Sequence, residues 1–190
     1  LCHEAGLYHI REMIDDAEHM MDWNFMTTAI ERAQPIHEPG STNGYHALTY
    51  GWLIGELIQR ITNKTFAEVL DELIAAPLQL DGLYVGLPDA QMHRRAELVQ
   101  SIGKKGAADL RTERRSQRLM LKAVTAGLKI ANIDLDKTLS ALVPRGATHL
   151  DFNSQDFVNA CVPAANGMFT SRSLAKLYAL LANGGELDGI

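Results

Sequence analysis

The sequence predicts a mainly α fold with little strand. Three observations support this: apolar residues recur at helical spacing in successive segments, capping residues precede those segments, and glycine or proline ends them. The pattern gives five or six helices and one short strand around a long, loop-rich centre. No internal repeat or low-complexity tract occurs.

The first predicted helices flank a turn. Residues 22–33 have apolar residues at helical spacing, with Asp22 as the N-cap and Pro35 as the stop. After a turn at Pro39-Gly40, a second helix runs over about 48–61. Its predicted buried face consists of Leu53, Ile54, Leu57, Ile58 and Ile61.

Two glycines on the second helix predict a close contact. Gly51 and Gly55 lie four positions apart, which leaves a smooth strip where another element can approach. Asn63 ends this helix, and the capping box at 65–68 opens the next, which Pro77 ends. The predicted inner stripe of that third helix is Phe66, Val69, Leu70, Leu73 and Ile74.

The second half of the chain is less strongly patterned. Residues 83–86 form a candidate short strand, 119–130 a helical pattern, and 152–162 a short helix before Pro163. The polar stretch 103–118 carries six basic residues, but without interleaved aromatics it indicates a solvated segment rather than a nucleic-acid site. A last helix begins at Thr170-Ser171, ends at Asn183-Gly184-Gly185 and presents Leu174, Leu177, Tyr178 and Leu181.

The bulk composition excludes several classes of function. With 190 residues, 46% hydrophobic content and a net charge of -5, the chain is a packed globule without general attraction for nucleic acid or anionic membrane. No apolar run approaches the ~20 residues that span a bilayer. Two cysteines, Cys2 and Cys161, form no disulfide framework, which fits a reducing, intracellular compartment without establishing one. Both termini resemble cuts through a longer protein.

No metal or cofactor is expected. His3, Glu4 and His9 are close in sequence, but their spacing provides no HxxxH or HExxH face. Tyr45 is a more interesting residue, because the Pro39-Gly40 turn leads to it just before an apolar helix. Such a tyrosine is either a placed functional group or an ordinary loop aromatic, and spacing alone leaves both readings open.

Four landmarks in the chain resemble those of the serine β-lactamase and penicillin-binding-protein superfamily, on its class C β-lactamase and esterase branch. Residues 1–7, LCHEAGL, resemble the family's "LLxHxSGL" segment, and Pro39-Gly40 followed by Tyr45 resembles its Pro-Gly-then-Tyr landmark. Residues 77–80, PLQL, resemble "PLGM", and 167–185 resemble the late glycine, capped helix and "NGG". The landmarks follow the family's order across nearly the whole chain.

The resemblance implies a serine acyl-transfer enzyme. In the family, the serine of an S-x-x-K motif forms an acyl-enzyme, and a lysine and a tyrosine handle its proton. Tyr45 takes the tyrosine's place as general base. Residues 1–190 then form the helical lobe of one β-lactamase/transpeptidase-like domain with an α+β parent fold, lacking the upstream nucleophile segment and the downstream K-T-G or histidine-glycine motif.

Two departures from the family pattern qualify this expectation. The S-x-x-K strings at Ser101 and Ser173 both follow Tyr45, whereas the family's nucleophile precedes it, so we interpret both as coincidental. The family's Y-x-N reads Tyr45-His46-Ala47 here, and alanine has no polar side chain. His46 and Ala47 are the candidate substrate-binding positions, with an exposed loop histidine as the simpler reading of His46.

Three functions follow for the parent protein. The first is a serine hydrolase, most simply an esterase, acting on a small-molecule ester or amide. The second is a catalytically inactive relative that serves as a binding or assembly module. The third is an unrelated helical interaction domain, which a Tyr45 ring packed in the core would support. Exposed apolar stripes in an isolated chain also predict homo-oligomerisation or poor solubility.

Overall fold

The computed structural model describes residues 1–99, 140–186 and 189. Within them the chain is mainly helical, and the one sheet has two strands, which confirms the predicted fold class. The predictions for 103–118, 119–130 and Ser101 lie outside the described residues. In chain order the elements are α1 (Ile10–Met13), a 3-10 segment (Ala17–Met21), α2 (Trp23–Arg32), α3 (Thr49–Thr62), α4 (Phe66–Leu70), a π-helical turn (Asp71–Ala75), β1 (Leu83–Val85), a 3-10 segment (Asp89–Arg94), α5 (Gln155–Asn159), β2 (Gly167–Phe169) and α6 (Ser171–Ala182).

The main core lies between the first thirty residues, α3 and the segment around α5. Its members are apolar side chains that bury nearly all their surface: Ile10, Ile14, Ala17, Met20, Met26, Ile30, Trp52, Leu150, Phe157 and Val162. Burial of apolar surface is the main force that holds these distant parts of the chain together. Among the described residues, no helix has the length and apolar character needed to cross a membrane.

Helix α2 forms as its sequence predicts. The side chain of Asp22 accepts the backbone N–H of Phe25 at 3.0 Å, which satisfies one of the unpaired donors at the helix start. Met26 and Ile30, four residues apart, are buried against the core. The helix stops at Arg32, before Pro35 can interrupt its hydrogen bonds.

Helix α3 has the predicted extent but buries its predicted apolar face only in part. Leu57 and Ile61, predicted to be buried, are 54% and 75% exposed, while the buried residues are Thr49, Gly51, Trp52 and Gly55. A Cβ added to Gly51 would lie 3.0 Å from Pro163, and one added to Gly55 would lie 2.6 Å from Trp23. The glycine strip is therefore a contact surface, as its spacing predicted. Of the predicted apolar face, Leu53, Ile54 and Ile58 are half-buried, and the prediction was wrong for Leu57 and Ile61.

The following helix begins as predicted and then changes type. Asn63 ends α3 with a left-handed φ of 55°, and Thr65 and Glu68 form the capping box in both directions. After Leu70 the chain continues as the π-helical turn, so the α-helical spacing no longer applies. Leu73 is consequently exposed, and the buried positions are Ala75 and Leu78.

The two strands pair across a large part of the chain. β1 runs antiparallel to β2, with Leu83 opposite Phe169 and Val85 opposite Gly167. The strand at 83–86 was predicted, but β2 was not, because three residues are too few to show an alternating pattern. The side chain of Thr170 caps α6 by accepting the backbone N–H of Ser173 at 3.2 Å.

The start and end of helix α6 agree with the sequence pattern. On its predicted apolar face Leu174 and Leu177 are half-buried, whereas Tyr178 and Leu181 are exposed. The polar Ser173 is buried. The short helix predicted within 152–162 is present as α5, and the side chain of Ser154 caps it.

Candidate active site

The loop that carries Tyr45 is tied to the first residues of the chain. Three backbone N–H groups of the loop donate to carbonyls of that segment: Ile36 to Gly6 at 3.0 Å, Gly40 to Glu4 at 3.0 Å and Gly44 to His3 at 2.9 Å. These bonds pair the two segments that carry the first two family landmarks. They satisfy polar backbone groups that would otherwise lie unpaired in the loop.

The predicted Pro39-Gly40 turn is present. Gly40 has a φ of +85°, a conformation that suits glycine because other residues have a Cβ that clashes there. The N–H and the hydroxyl of Ser41 both donate to the carbonyl of Glu38, at 3.0 Å and 2.6 Å. These two hydrogen bonds close the turn and direct the chain towards Tyr45.

Tyr45 lies at the surface beside His3. Its side chain is 65% exposed, so it is not packed in the core. The ring centroids of Tyr45 and His3 are 5.1 Å apart with an interplanar angle of 58°. The ring of His3 also lies 5.0 Å from that of Tyr50, in the first turn of α3. The phenol is thus accessible and adjacent to residue 3, and its role as general base remains a prediction.

His46 is buried, which corrects the expectation of an exposed loop histidine. It is 2% exposed, and both ring nitrogens contact backbone groups. Nδ1 lies 2.6 Å from the carbonyl of Gly44, and Nε2 lies 3.1 Å from the N–H of Leu7. This pairing assigns the proton to Nδ1, which donates, and leaves Nε2 as acceptor.

The burial of His46 also favours its neutral form. Desolvation lowers its pKa from 6.5, and the carbonyl of Gly44 opposes this only in part. A positive charge on a neighbouring histidine would act in the same direction as burial. A substrate contact through either ring nitrogen would require one of the two backbone hydrogen bonds to break. The substrate-binding assignment of His46 therefore remains a prediction, as does that of the half-buried Ala47.

Ser173, which heads the later S-x-x-K string, has structural partners. Its Oγ accepts the N–H of Gly82 at 3.2 Å and lies 2.9 Å from Thr170 Oγ1 and 3.2 Å from Asp81 Oδ1. Hydrogen bonds from the two hydroxyls lower the pKa of the Asp81 carboxyl. This buried serine joins the start of α6 to the start of β1.

His3 holds the Tyr45 loop through hydrogen bonds that the residue pattern alone did not predict. The carbonyl of His3 accepts the backbone N–H of Gly44, and its Nδ1 accepts the backbone N–H of His46 at 3.1 Å. Residues 3 and 45 are far apart in sequence, and no spacing pattern relates them. The one local signal is weak: histidine is enriched among the non-glycine residues that adopt positive φ, and His3 has a φ of 60°.

Comparison with known proteins agrees with the landmarks. Residues 1–189 match the family described as Beta-lactamase. The chain is 32% identical over 191 residues to "Esterase/beta-lactamase LipL" of Mycobacterium tuberculosis, an alignment that covers 99% of this chain and 40% of that protein. The chain therefore spans about two fifths of the length of this relative.

Two solved structures are similar to the fold. A penicillin-binding protein homologue from Caulobacter crescentus superposes with a TM-score of 0.71 at 26% identity, covering 100% of this chain and 43% of that one. EstA from Arthrobacter nitroguajacolicus Rue61a gives a TM-score of 0.66 at 24% identity, over 94% of this chain and 42% of its own, and supports the fold alone. With nearly every residue covered by the family match, the chain belongs to the Beta-lactamase family.

Proposed function

We propose that this chain is the helical part of a serine hydrolase that works through an acyl-enzyme, with Tyr45 as general base. The observation that carries the proposal is the exposed phenol of Tyr45, which the turn at Gly40 and the bonds to His3 place at the surface beside the first residues. The family match and the relative called an esterase/beta-lactamase support the same class of activity.

The chemistry explains why a tyrosine is suitable here. A serine hydroxyl is a poor nucleophile, so a neighbouring base must take its proton as the oxygen attacks the substrate carbonyl. A tyrosine can do this near neutral pH where an adjacent lysine cation favours the phenolate. The phenol then returns the proton to the leaving alkoxide or amine, which leaves the acyl group on the serine for hydrolysis by water. We assign the serine and the lysine to segments of the whole protein beyond this chain.

The residue at position 47 favours esters over amides as substrates. An asparagine at this position of the Y-x-N pattern could both donate to and accept from a substrate amide. Ala47 can do neither through its side chain. An ester without an amide group needs no hydrogen bond from the side chain at position 47. We therefore propose a small-molecule ester as the principal substrate.

Substitution of Tyr45 in the full-length protein tests the proposal. Tyr45→Phe removes only the hydroxyl, and we expect turnover of a short-chain p-nitrophenyl ester to fall by about tenfold or more, as for loss of a general base. Tyr178→Phe is the matched control, because Tyr178 is 64% exposed and lies on α6. Unchanged turnover of the Tyr45 variant would remove this residue from the mechanism, and an inactive wild-type protein would favour the binding-module alternative.

A further inference from the structure

The two residues that flank Tyr45 are both held by His3. The backbone N–H of Gly44 donates to the His3 carbonyl at 2.9 Å, and the backbone N–H of His46 donates to the His3 Nδ1 at 3.1 Å. One residue therefore accepts a hydrogen bond on each side of the candidate base. The ring of His3 also lies 5.1 Å from the ring of Tyr45, so residue 3 contacts all three consecutive positions.

The second side of the loop is fixed independently. The buried His46 ring donates to the Gly44 carbonyl at 2.6 Å and accepts the Leu7 N–H at 3.1 Å. Residue 46 is thus anchored through its ring, and its backbone N–H is the group that reaches His3. Breaking the bond to His3 would free the peptide between Tyr45 and His46 while leaving the buried ring in place.

His3 accepts these bonds from a strained backbone. Its φ of 60° lies in the left-handed region, which a non-glycine residue rarely adopts because its Cβ is crowded there. Strain of this kind persists where the surroundings over-determine the conformation, and it clusters at functional sites. The Nδ1 can accept only while it is unprotonated, so the bond also assigns the imidazole proton of neutral His3 to Nε2.

We propose that His3 is a positioning residue for Tyr45: its carbonyl and its Nδ1 together fix the backbone on both sides of the phenol. This inference rests on the proposed role of Tyr45 as general base. A base must hold its reacting atom in a defined place relative to the nucleophile, and a displacement of about 1 Å can lower the rate by about a hundredfold. His3 acts through Tyr45 and does not itself exchange a proton with the substrate.

Three substitutions of His3 in the full-length protein separate the hydrogen bond from the ring. His3→Asn places a carbonyl oxygen where Nδ1 lies and tolerates the left-handed backbone, but it has no aromatic ring. His3→Phe has a ring and no acceptor. His3→Gly has neither, and it relieves the backbone strain. We expect kcat for a p-nitrophenyl ester to fall about tenfold in the Phe and Gly variants with little change in KM, and about threefold or less in the Asn variant.

The hydrogen bonds that the backbone N–H groups of Gly44 and His46 donate to His3 form a clamp on the Tyr45 loop. Exchange of the His46 amide proton reports on this clamp without relying on activity. By NMR, we expect this proton to be protected from solvent exchange in the wild type and in His3→Asn, and to exchange faster in His3→Phe and His3→Gly. Thermal unfolding of each variant confirms that the comparison is between folded proteins. If His3→Asn keeps both kcat and the protection of the His46 amide proton, the hydrogen bond positions the loop. If the ring acted only by packing, His3→Phe would keep them instead.

The outcomes distinguish this inference from the function on which it rests. Wild-type kcat in His3→Gly, or failure of His3→Asn to restore kcat, overturns the positioning role. If Tyr45→Phe is fully active, the general-base proposal fails and kcat no longer reports on the clamp. Amide exchange then decides: protection lost in His3→Phe and kept in His3→Asn supports the clamp, and equal protection in all variants overturns it.

Discussion

The ring of Tyr8 occupies the space that a side chain at Gly44 would need. A Cβ built on Gly44 would lie 2.0 Å from Tyr8 Cε1, well inside van der Waals contact. Tyr8 is buried, and its ring meets the ring of His46 edge-on at a centroid distance of 5.4 Å. Glycine at position 44 therefore serves close packing immediately before Tyr45.

Gly44→Ala should destabilise the protein and displace the Tyr45 loop. Overpacking of this kind costs about 1–3 kcal/mol, which urea unfolding measures directly. Tyr8→Ala removes the clashing ring, so the double variant should lose less free energy of unfolding than the sum of the two single changes. Strictly additive losses would show that the Tyr8 ring is not what excludes a side chain at Gly44.

Substitution of alanine for the two glycines of the α3 strip should lower stability by different amounts. Alanine is favoured over glycine within a helix by about 1 kcal/mol, but at Gly55 the new Cβ would lie 2.6 Å from the Trp23 ring. Gly55→Ala should therefore destabilise by roughly 1–2 kcal/mol in urea unfolding. Gly51→Ala, with its nearest atom at 3.0 Å, should be milder. A Gly55 variant more stable than the wild type would contradict the contact with Trp23.

These glycines also show what the sequence could and could not establish about the fold. Caps at Asp22, Thr65 and Thr170 place helix starts correctly, because capping is a local interaction between residues two or three positions apart. The apolar faces of α3 and α6 are only partly buried, because the residues that a helix buries depend on what packs against it. The pattern favoured Leu57 and Ile61 for burial, whereas Trp23 and Pro163 contact the glycines.

The pH dependence of stability should follow the buried histidines. Burial lowers the pKa of His46 and that of His9 from 6.5, with Glu12 partly opposing the effect at His9. Below pH 6.5 the unfolded chain therefore binds more protons than the folded one, and acidification favours unfolding. Their contribution to stability is complete above pH 6.5 and is lost as the pH falls through the lowered pKa values.

Urea unfolding between about pH 7.5 and about pH 5.5 measures this slope. His46→Gln keeps an acceptor for the Leu7 N–H but does not titrate, so its stability should be lower and depend less on pH. An NMR titration of the His46 ring in the wild type should give a midpoint below 6.5. A midpoint above that value would show that the ring is not desolvated as the structure indicates.

Ser173 should prove to be a structural residue. Ser173→Ala leaves the buried N–H of Gly82 without its acceptor, which costs about 1–3 kcal/mol in the free energy of unfolding. Turnover in the full-length protein should not change, and a fluorophosphonate probe should not label Ser173. Ser171→Ala, at an exposed position two residues away, should change stability by less than about 0.5 kcal/mol. Loss of turnover in the Ser173 variant alone would restore the S-x-x-K interpretation.

The parts of the candidate site that depend on adjacent residues could be predicted from the sequence. The turn at Gly40 and the position of Tyr45 before α3 follow from adjacent residues, and the structure has both. The buried ring of His46 accepts the N–H of Leu7, and the His3 ring accepts the backbone N–H of His46, next to Tyr45. No periodicity links residues forty positions apart, so these contacts emerge only when the chain is folded.

The pairing of β1 with β2 has a consequence for how related chains can vary. β1 and β2 are separated by the stretch 86–166, which contributes Leu150, Phe157 and Val162 to the main core. Insertions and deletions in related chains should therefore fall outside these core positions and outside the three-residue register of the two strands. The same long separation delays the meeting of the strands, so this ribbon should be among the last parts of the molecule to assemble during folding.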